Sequence, residues 1–151
     1  MKHNSIFTFL FALVALLSAC SVLASPVAKR APPPPPSTLF KVDRPSEGTT
    51  YSVGEQVYVH TENEGGSKGE IYKKNPDVKL SLQTKLPMPD INKVVVQVVK
   101  YQTLANHGIY FTVKDEYLSK NPKLKYRVRA SFYDNGKQRY VDSAGFNLAR
   151  N

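Results

Sequence analysis

His60 and His107 are the histidines that follow the N-terminal leader, and neither has the HxH or HExxH spacing that places two imidazoles on one metal. A lone histidine expected in a strand reads as a packed or surface residue rather than a ligand. Asp115 and Glu116 are adjacent, so on a turn their carboxylates diverge, whereas glycoside hydrolysis needs two carboxylates facing each other across a bond. Asp90 and Glu70 are distant in sequence and remain free to converge in space. No GxSxG elbow and no glycine-rich phosphate loop occurs. The single cysteine, Cys20, lies in the leader, which removes thiol catalysis, zinc fingers, iron–sulfur centres and any disulfide. The residues therefore predict a protein that is not an enzyme, with no catalytic group, metal, disulfide or cofactor.

Binding chemistry is better represented. Nine tyrosines and no tryptophan are present, and a tyrosine ring can stack on a sugar face while its hydroxyl hydrogen-bonds. Tyr110 and Thr112 point to the outer side of one predicted strand, and Arg127 and Arg129 to the outer side of another. If the two strands share a sheet, these four make an aromatic and basic surface for a cell-wall polysaccharide or an acidic glycan. The plainer alternative makes Tyr110 a cross-strand packing residue and the arginines a solvated face. Lys120, Lys123, Lys125, Arg127, Arg129, Lys137 and Arg139 form a basic cluster in sequence, whose continuity in space depends on the hairpin that joins them.

The elements that must position these residues are strands. Phe40–Val42 is a short first strand, broken by Pro45-Ser46-Glu47-Gly48. Residues 56–61 alternate, with Val57 and Val59 on one face. Glu62–Glu70 is polar and reads as a loop. Val78, Leu80 and Leu82 alternate with Lys79, Ser81 and Gln83 in a half-buried strand that stops at Pro87-Met88-Pro89. Residues 93–101 carry valines on both faces, which predicts a strand that is covered on both sides or central. Residues 108–113 and 126–133 alternate again, and Asp115–Lys120 can close one helical turn between them. At Asp134-Asn135-Gly136 two registers compete. A three-residue loop puts Ala130 opposite Tyr140 and keeps Phe146 and Leu148 on the side of Val128. A two-residue Asn135-Gly136 turn pairs Arg129 with Asp142 but aims Phe146 and Leu148 away. The three-residue loop is expected. About seven short strands with no long helix predict an all-β fold, an immunoglobulin-like antiparallel β-sandwich spanning residues 39–149, with an up-and-down barrel as the alternative.

The N-terminus reads as an export and processing region. Lys2 precedes an uncharged apolar run, Ile6–Leu17, and Val22 and Ala24 fit the −3 and −1 positions of a cleavage site. That run is shorter than the roughly 20 apolar residues a membrane span needs. Residues 1–24 are expected to be a signal peptide and 25–30 a propeptide ending in Lys29-Arg30, a Kex-type site. The proline run Pro32–Pro36 makes 31–38 an extended spacer. The precursor charge of +9 loses Lys2, Lys29 and Arg30 and no acid, which leaves +6. That excess suits acidic partners or solubility. Nucleic acid is excluded as a partner, because the chain is exported and no helix carries a basic stripe. The sequence ending Phe146-Asn147-Leu148-Ala149-Arg150-Asn151 lacks an apolar anchoring tail, so no stable membrane anchor is expected and the product is expected to be secreted and extracellular.

Several of these stretches carry a resemblance. Pro45-Ser46-Glu47-Gly48, Tyr51, Gly54 and the strand after it form an opening pattern; Gly108–Val113, Leu118 and Tyr126–Ala130 form a middle, and Asp142-Ser143 with Phe146 an end. Together they resemble the fungal Kre/Knh-like N-terminal domain of Ser-Thr-rich, GPI-anchored wall proteins and β-1,6-glucan assembly proteins. The likeness covers residues 40–148. It implies a secreted, immunoglobulin-like, non-enzymatic fungal protein that binds or helps organise cell-wall polysaccharide of the β-glucan class. Two departures are visible. Tyr51 and His60 stand where the family often has tryptophan, and no Ser/Thr-rich tail or anchor signal follows. The missing anchor suits a diffusible protein-binding factor, an effector or inhibitor acting on a secreted or surface protein, as the second expectation.

Overall fold

Alternation at a period of two gives each strand one dry and one wet face. The computed structural model describes residues 39–63, 65–86 and 89–150, which lie in one compact unit, Pro34–Asn151. The expected signal peptide, the sites at Ala24, Lys29 and Arg30, and the proline-rich spacer lie outside the described residues. Nine strands form among those described: β1 (Phe40–Arg44), β2 (Thr50–Ser52), β3 (Gln56–Asn63), β4 (Asp77–Thr84), β5 (Asn92–Lys100), β6 (Ile109–Thr112), β7 (Tyr126–Asp134), β8 (Lys137–Asp142) and β9 (Asn147–Ala149). Two short helices accompany them, α1 (Glu70–Lys74) and α2 (Tyr101–Asn106). No helix among the described residues is long and apolar enough to cross a membrane.

The fold is all-β and sandwich-like. One antiparallel sheet has the order β1-β3-β6, another the order β5-β4-β7-β8, and β2 pairs with β9 in parallel. The dry faces meet in one core. Val57, Val59 and Phe111 contribute from the three-stranded sheet, and Leu80, Leu82, Val128, Ala130 and Phe132 from the four-stranded one. The Phe40 ring of β1 lies 5.2 Å from that of Phe132 on β7 and 4.9 Å from Tyr101 at the start of α2.

Four features differ from the sequence reading. There are nine strands rather than about seven, because β2 forms beside β9 and the last strand is split into β8 and β9. β5 is not central but lies at the edge of its sheet, with Val94 47% and Val98 61% exposed. Two register shifts against β4 give β5 its extra residues, and bulges of this kind belong to sheet edges, where they twist the free strand away from further pairing. The hairpin is the two-residue one: Asp134 pairs with Lys137 and Arg129 with Asp142, and both Asn135 (φ 49°) and Gly136 (φ 74°) are left-handed. Phe146 and Leu148 are still buried, because the strand stops at Asp142 and the Ser143-Ala144-Gly145 break resets the alternation. The polar segment after residue 62 is ordered into the end of β3, a single 3-10 turn at Gly66–Lys68 and α1. The turn expected near Asp115 is a 3-10 turn, Asp115–Tyr117.

Candidate functional site

Burying Val78, Leu80 and Leu82 obliges Lys79, Ser81 and Gln83 to stand on the outer side of β4. The same logic puts Arg127, Arg129, Ser131 and Tyr133 outward on β7, and Gln138, Tyr140 and Asp142 outward on β8. The ladder aligns them into rows. Asn92, Gln83 and Arg127 form one, Val94, Ser81, Arg129 and Asp142 the next, and Lys79, Ser131 and Tyr140 a third.

Asp142 anchors this face. Arg129 donates to its two oxygens from Nε at 2.7 Å and Nη2 at 2.9 Å, and Arg127 Nη1 lies 3.2 Å from Oδ2. The guanidinium carbon of Arg129 sits 3.8 Å from the centre of the Tyr140 ring, so the cation is clamped between a carboxylate and an aromatic face. The hydrogen bonds that Arg129 donates to Asp142 outweigh its partial burial and hold its guanidinium above the usual arginine range. Arg127 Nη2 donates to Gln83 Oε1 at 3.4 Å, and Gln83 Nε2 donates to Asn92 Oδ1 at 3.1 Å. These long side chains close over the middle strand, so Ser81 and Gln83 are each only 6% exposed although they point away from the core.

Two shallow grooves adjoin on this surface. One, of about 260 Å³, has Lys79, Ser81, Asn92, Arg129 and Tyr140 among its lining. The other, of about 220 Å³, is lined by Val98 and Tyr133 among others, and shares Lys79, Ser131 and Gln138 with the first. Tyr133 is 67% exposed beside them.

The four residues singled out from sequence do not come together. Arg127 and Arg129 occupy the four-stranded sheet, as described. Tyr110 and Thr112 lie on β6, in the three-stranded sheet, on the side turned away from the same core. The shared-sheet surface is thus corrected to two separate faces. Tyr110 is 58% exposed, and its ring lies 4.8 Å from that of Tyr58, which in turn stacks on His60 at 6.0 Å. Gln83, Asn92 and Tyr140 were not singled out, and Asp142 enters the sequence reading only through the two-residue register that the three-residue loop displaced. Their signal was the outward set Lys79-Ser81-Gln83 on a clean alternating strand.

The side chains considered for catalysis have local roles. His60 places Nδ1 2.8 Å from Asp43 Oδ1 and Nε2 3.0 Å from the Ala105 carbonyl oxygen, which occupies both ring nitrogens. Asp115 pairs with Arg150 at 3.2 Å and Glu116 lies 3.9 Å from Lys114. Asp90 accepts from Thr84 Oγ1 and Ser119 Oγ, while Glu70 pairs with Lys74. No group of three or more metal-ligating side chains assembles among the described residues. A larger cleft of about 540 Å³ is lined by Leu118, Ser119, Tyr126 and Leu148 among others. Ser119 Oγ there donates to Asp90, and Tyr126 Oη accepts from the Ser119 amide at 2.6 Å. No protein-family model matches this chain, and no curated protein matches it.

Proposed function

We propose that this chain is a secreted, wall-associated fungal protein without enzymatic activity that binds or helps organise cell-wall polysaccharide of the β-glucan class. The observation that carries the binding reading is the outer face of β5-β4-β7-β8. Two adjoining grooves there present hydroxyl, amide and guanidinium groups next to the exposed ring of Tyr133. Sugars are held by this combination, an aromatic plane for the C–H face and fixed polar groups for the hydroxyls. The export layout of residues 1–30 and the resemblance to Kre/Knh-like domains support the same reading. The finer fold we propose is immunoglobulin-like; facing sheets of three and four strands with a parallel β2–β9 pair support it. The test is retention of the secreted chain on insoluble β-glucan, chitin and mannan. Retention on at least one polymer that Tyr133→Ala abolishes is the expected result, and retention on none removes the reading.

One observation favours a second reading, a diffusible protein-binding factor. Val94 and Val98 are exposed on a strand whose outer edge is free, a surface that suits a protein partner more than a sugar. Under that reading a cross-linked protein partner is captured by the parent chain and lost with Val98→Lys, while polymer retention is absent.

A further inference from the structure

The geometry points to Asn135 as a site of spontaneous, Lys74-assisted deamidation, whose isoaspartyl product loosens the two-residue turn between β7 and β8. Asn135-Gly136 is the one Asn-Gly pair in the chain. Asparagine is chemically labile, and most so before glycine, which has no Cβ to shield its backbone nitrogen from the adjacent side-chain amide. Both residues are exposed at the tip of the hairpin. The Gly136 N–H has no acceptor among the described residues, because the ladder ends at the Asp134–Lys137 pair. A Cβ built on Gly136 would meet nothing within 4 Å, so solvent base has open access to this nitrogen.

Lys74 supplies an independent observation. It ends α1 and reaches across to the hairpin, where Nζ donates to Asn135 Oδ1 at 3.3 Å and to Asp134 Oδ1 at 2.9 Å. Hydrogen bonding to Glu70, then to Asp134, raises Lys74 above the usual lysine range, so it stays an ammonium at the mildly alkaline pH that favours loss of the amide proton. Solvent base removes the Gly136 amide proton, and the nitrogen attacks Asn135 Cγ. Negative charge gathers on Oδ1, the atom that Lys74 already contacts, and a cation placed there stabilises it. The Cγ–Nδ2 bond then breaks, Nδ2 takes a proton from water and leaves as ammonia, and a five-membered succinimide remains. Water opens that ring at either carbonyl. Breaking the new Cγ–N bond gives aspartate. Breaking the original peptide C–N bond gives isoaspartate, in which the chain runs through Cβ and Cγ. In sum, one water is consumed and the amide is exchanged for a carboxylate and an ammonium ion. Isoaspartate lengthens by one carbon a loop whose two-residue length sets the register of β7 on β8. The pairing that holds Arg129 opposite Asp142 loosens with it.

The experiment incubates the full chain at mildly alkaline pH and follows its peptides by mass spectrometry, with enzymatic labelling of isoaspartate. The peptide spanning Asn135 is expected to gain one mass unit and the isoaspartyl label, while those carrying Asn92, Asn106 and Asn147 stay unchanged. Lys74→Gln is expected to slow the gain about threefold, the scale of an exposed charged contact, and Lys74→Arg, which keeps the cation, to stay near the parent rate. The aged parent is expected to unfold at lower urea than the fresh one, whereas aged Asn135→Gln matches its own fresh sample. No gain at Asn135, an equal gain at the other asparagines, or a gain that Lys74→Gln leaves unchanged or speeds, overturns the inference. Equal urea midpoints for fresh and aged parent, with isoaspartate present, overturn the loosening of the turn.

Discussion

Asp142 holds two arginines with one carboxylate, and much of the outer face depends on that side chain. Arg127 and Arg129 are each 19% exposed and lie side by side, so their mutual repulsion is offset through Asp142 alone. Asp142→Asn keeps the shape and removes the charge. It is expected to destabilise the fold by about 1–3 kcal/mol, the range for leaving a partly buried charge without its partner. Urea unfolding measures this; a variant within about 0.5 kcal/mol of the parent would mean that the arginines turn out to solvent at no cost. Asp90 is a different kind of carboxylate. Hydrogen bonds from Ser119 and then Thr84 hold it below its ordinary value of 3.8, against a small opposing effect of burial. A carboxyl depressed in the folded state stabilises the fold above its unfolded value, and that contribution drains away as pH falls through its folded value. The parent should therefore lose stability on acidification from about pH 5 to below pH 4 more steeply than Asp90→Asn. Parallel denaturation curves for the two across that window would show that the loop tie at Asp90 is not linked to folding.

At the level of elements, the two-residue turn sets where every side chain of β7 and β8 points. Its left-handed pair, Asn135 and Gly136, matches the twist of the strands it joins, and this decides the register over a longer loop. A Cβ at Gly136 would meet nothing within 4 Å, so Gly136→Ala isolates the backbone effect of φ +74°. It is expected to lower stability by about 1 kcal/mol in the same urea assay. A neutral result would mean that the turn relaxes to the longer loop, which would unpair Arg129 from Asp142. The element boundaries were legible because apolar alternation is local. What each strand pairs with was not. Val94, Val96 and Val98 announce a strand, but valine favours an extended backbone whether or not a neighbour covers it, so their pattern could not separate edge from centre. The hairpin register misled for a related reason. Phe146 and Leu148 were assumed to continue the alternation of β8. Instead Ser143 interrupts it by accepting from the Val128 amide and donating to the Ala144 carbonyl, both at 2.9 Å. α2 hid behind β5, since Tyr101 and Leu104, buried at helical spacing, follow the strand without a breaker. Arg127 and Arg129 could be read as outward from β7 alone. Their setting on β4 and β8 depends on pairing between segments far apart in the chain.

For the whole molecule, the consequence is two outer faces with opposite characters. The face of β1-β3-β6 is satisfied by its own side chains. The Tyr58 ring lies directly over Gly108, where a Cβ would fall 2.3 Å from Cε2, and its hydroxyl donates to the His107 carbonyl at 3.0 Å. Tyr110 then packs on Tyr58, and Tyr58 on His60. That row is a structural one, in which an aromatic pair contributes about 0.5–1.5 kcal/mol beyond simple burial. The face of β5-β4-β7-β8 instead keeps the hydroxyls of Ser81 and Ser131 and the amine of Lys79 uncommitted around its grooves, with Tyr133 exposed and without a ring partner among the described residues. A crossed result follows. Tyr110→Ala should lower stability by about 1 kcal/mol and leave polymer retention intact. Tyr133→Ala should leave stability within about 0.5 kcal/mol and remove retention. The two sites lie on the opposite outer faces of the packed sheets, so the double variant should show both effects added together. Retention lost with Tyr110→Ala and kept with Tyr133→Ala would move the binding surface to the three-stranded sheet and away from the grooves of the four-stranded one.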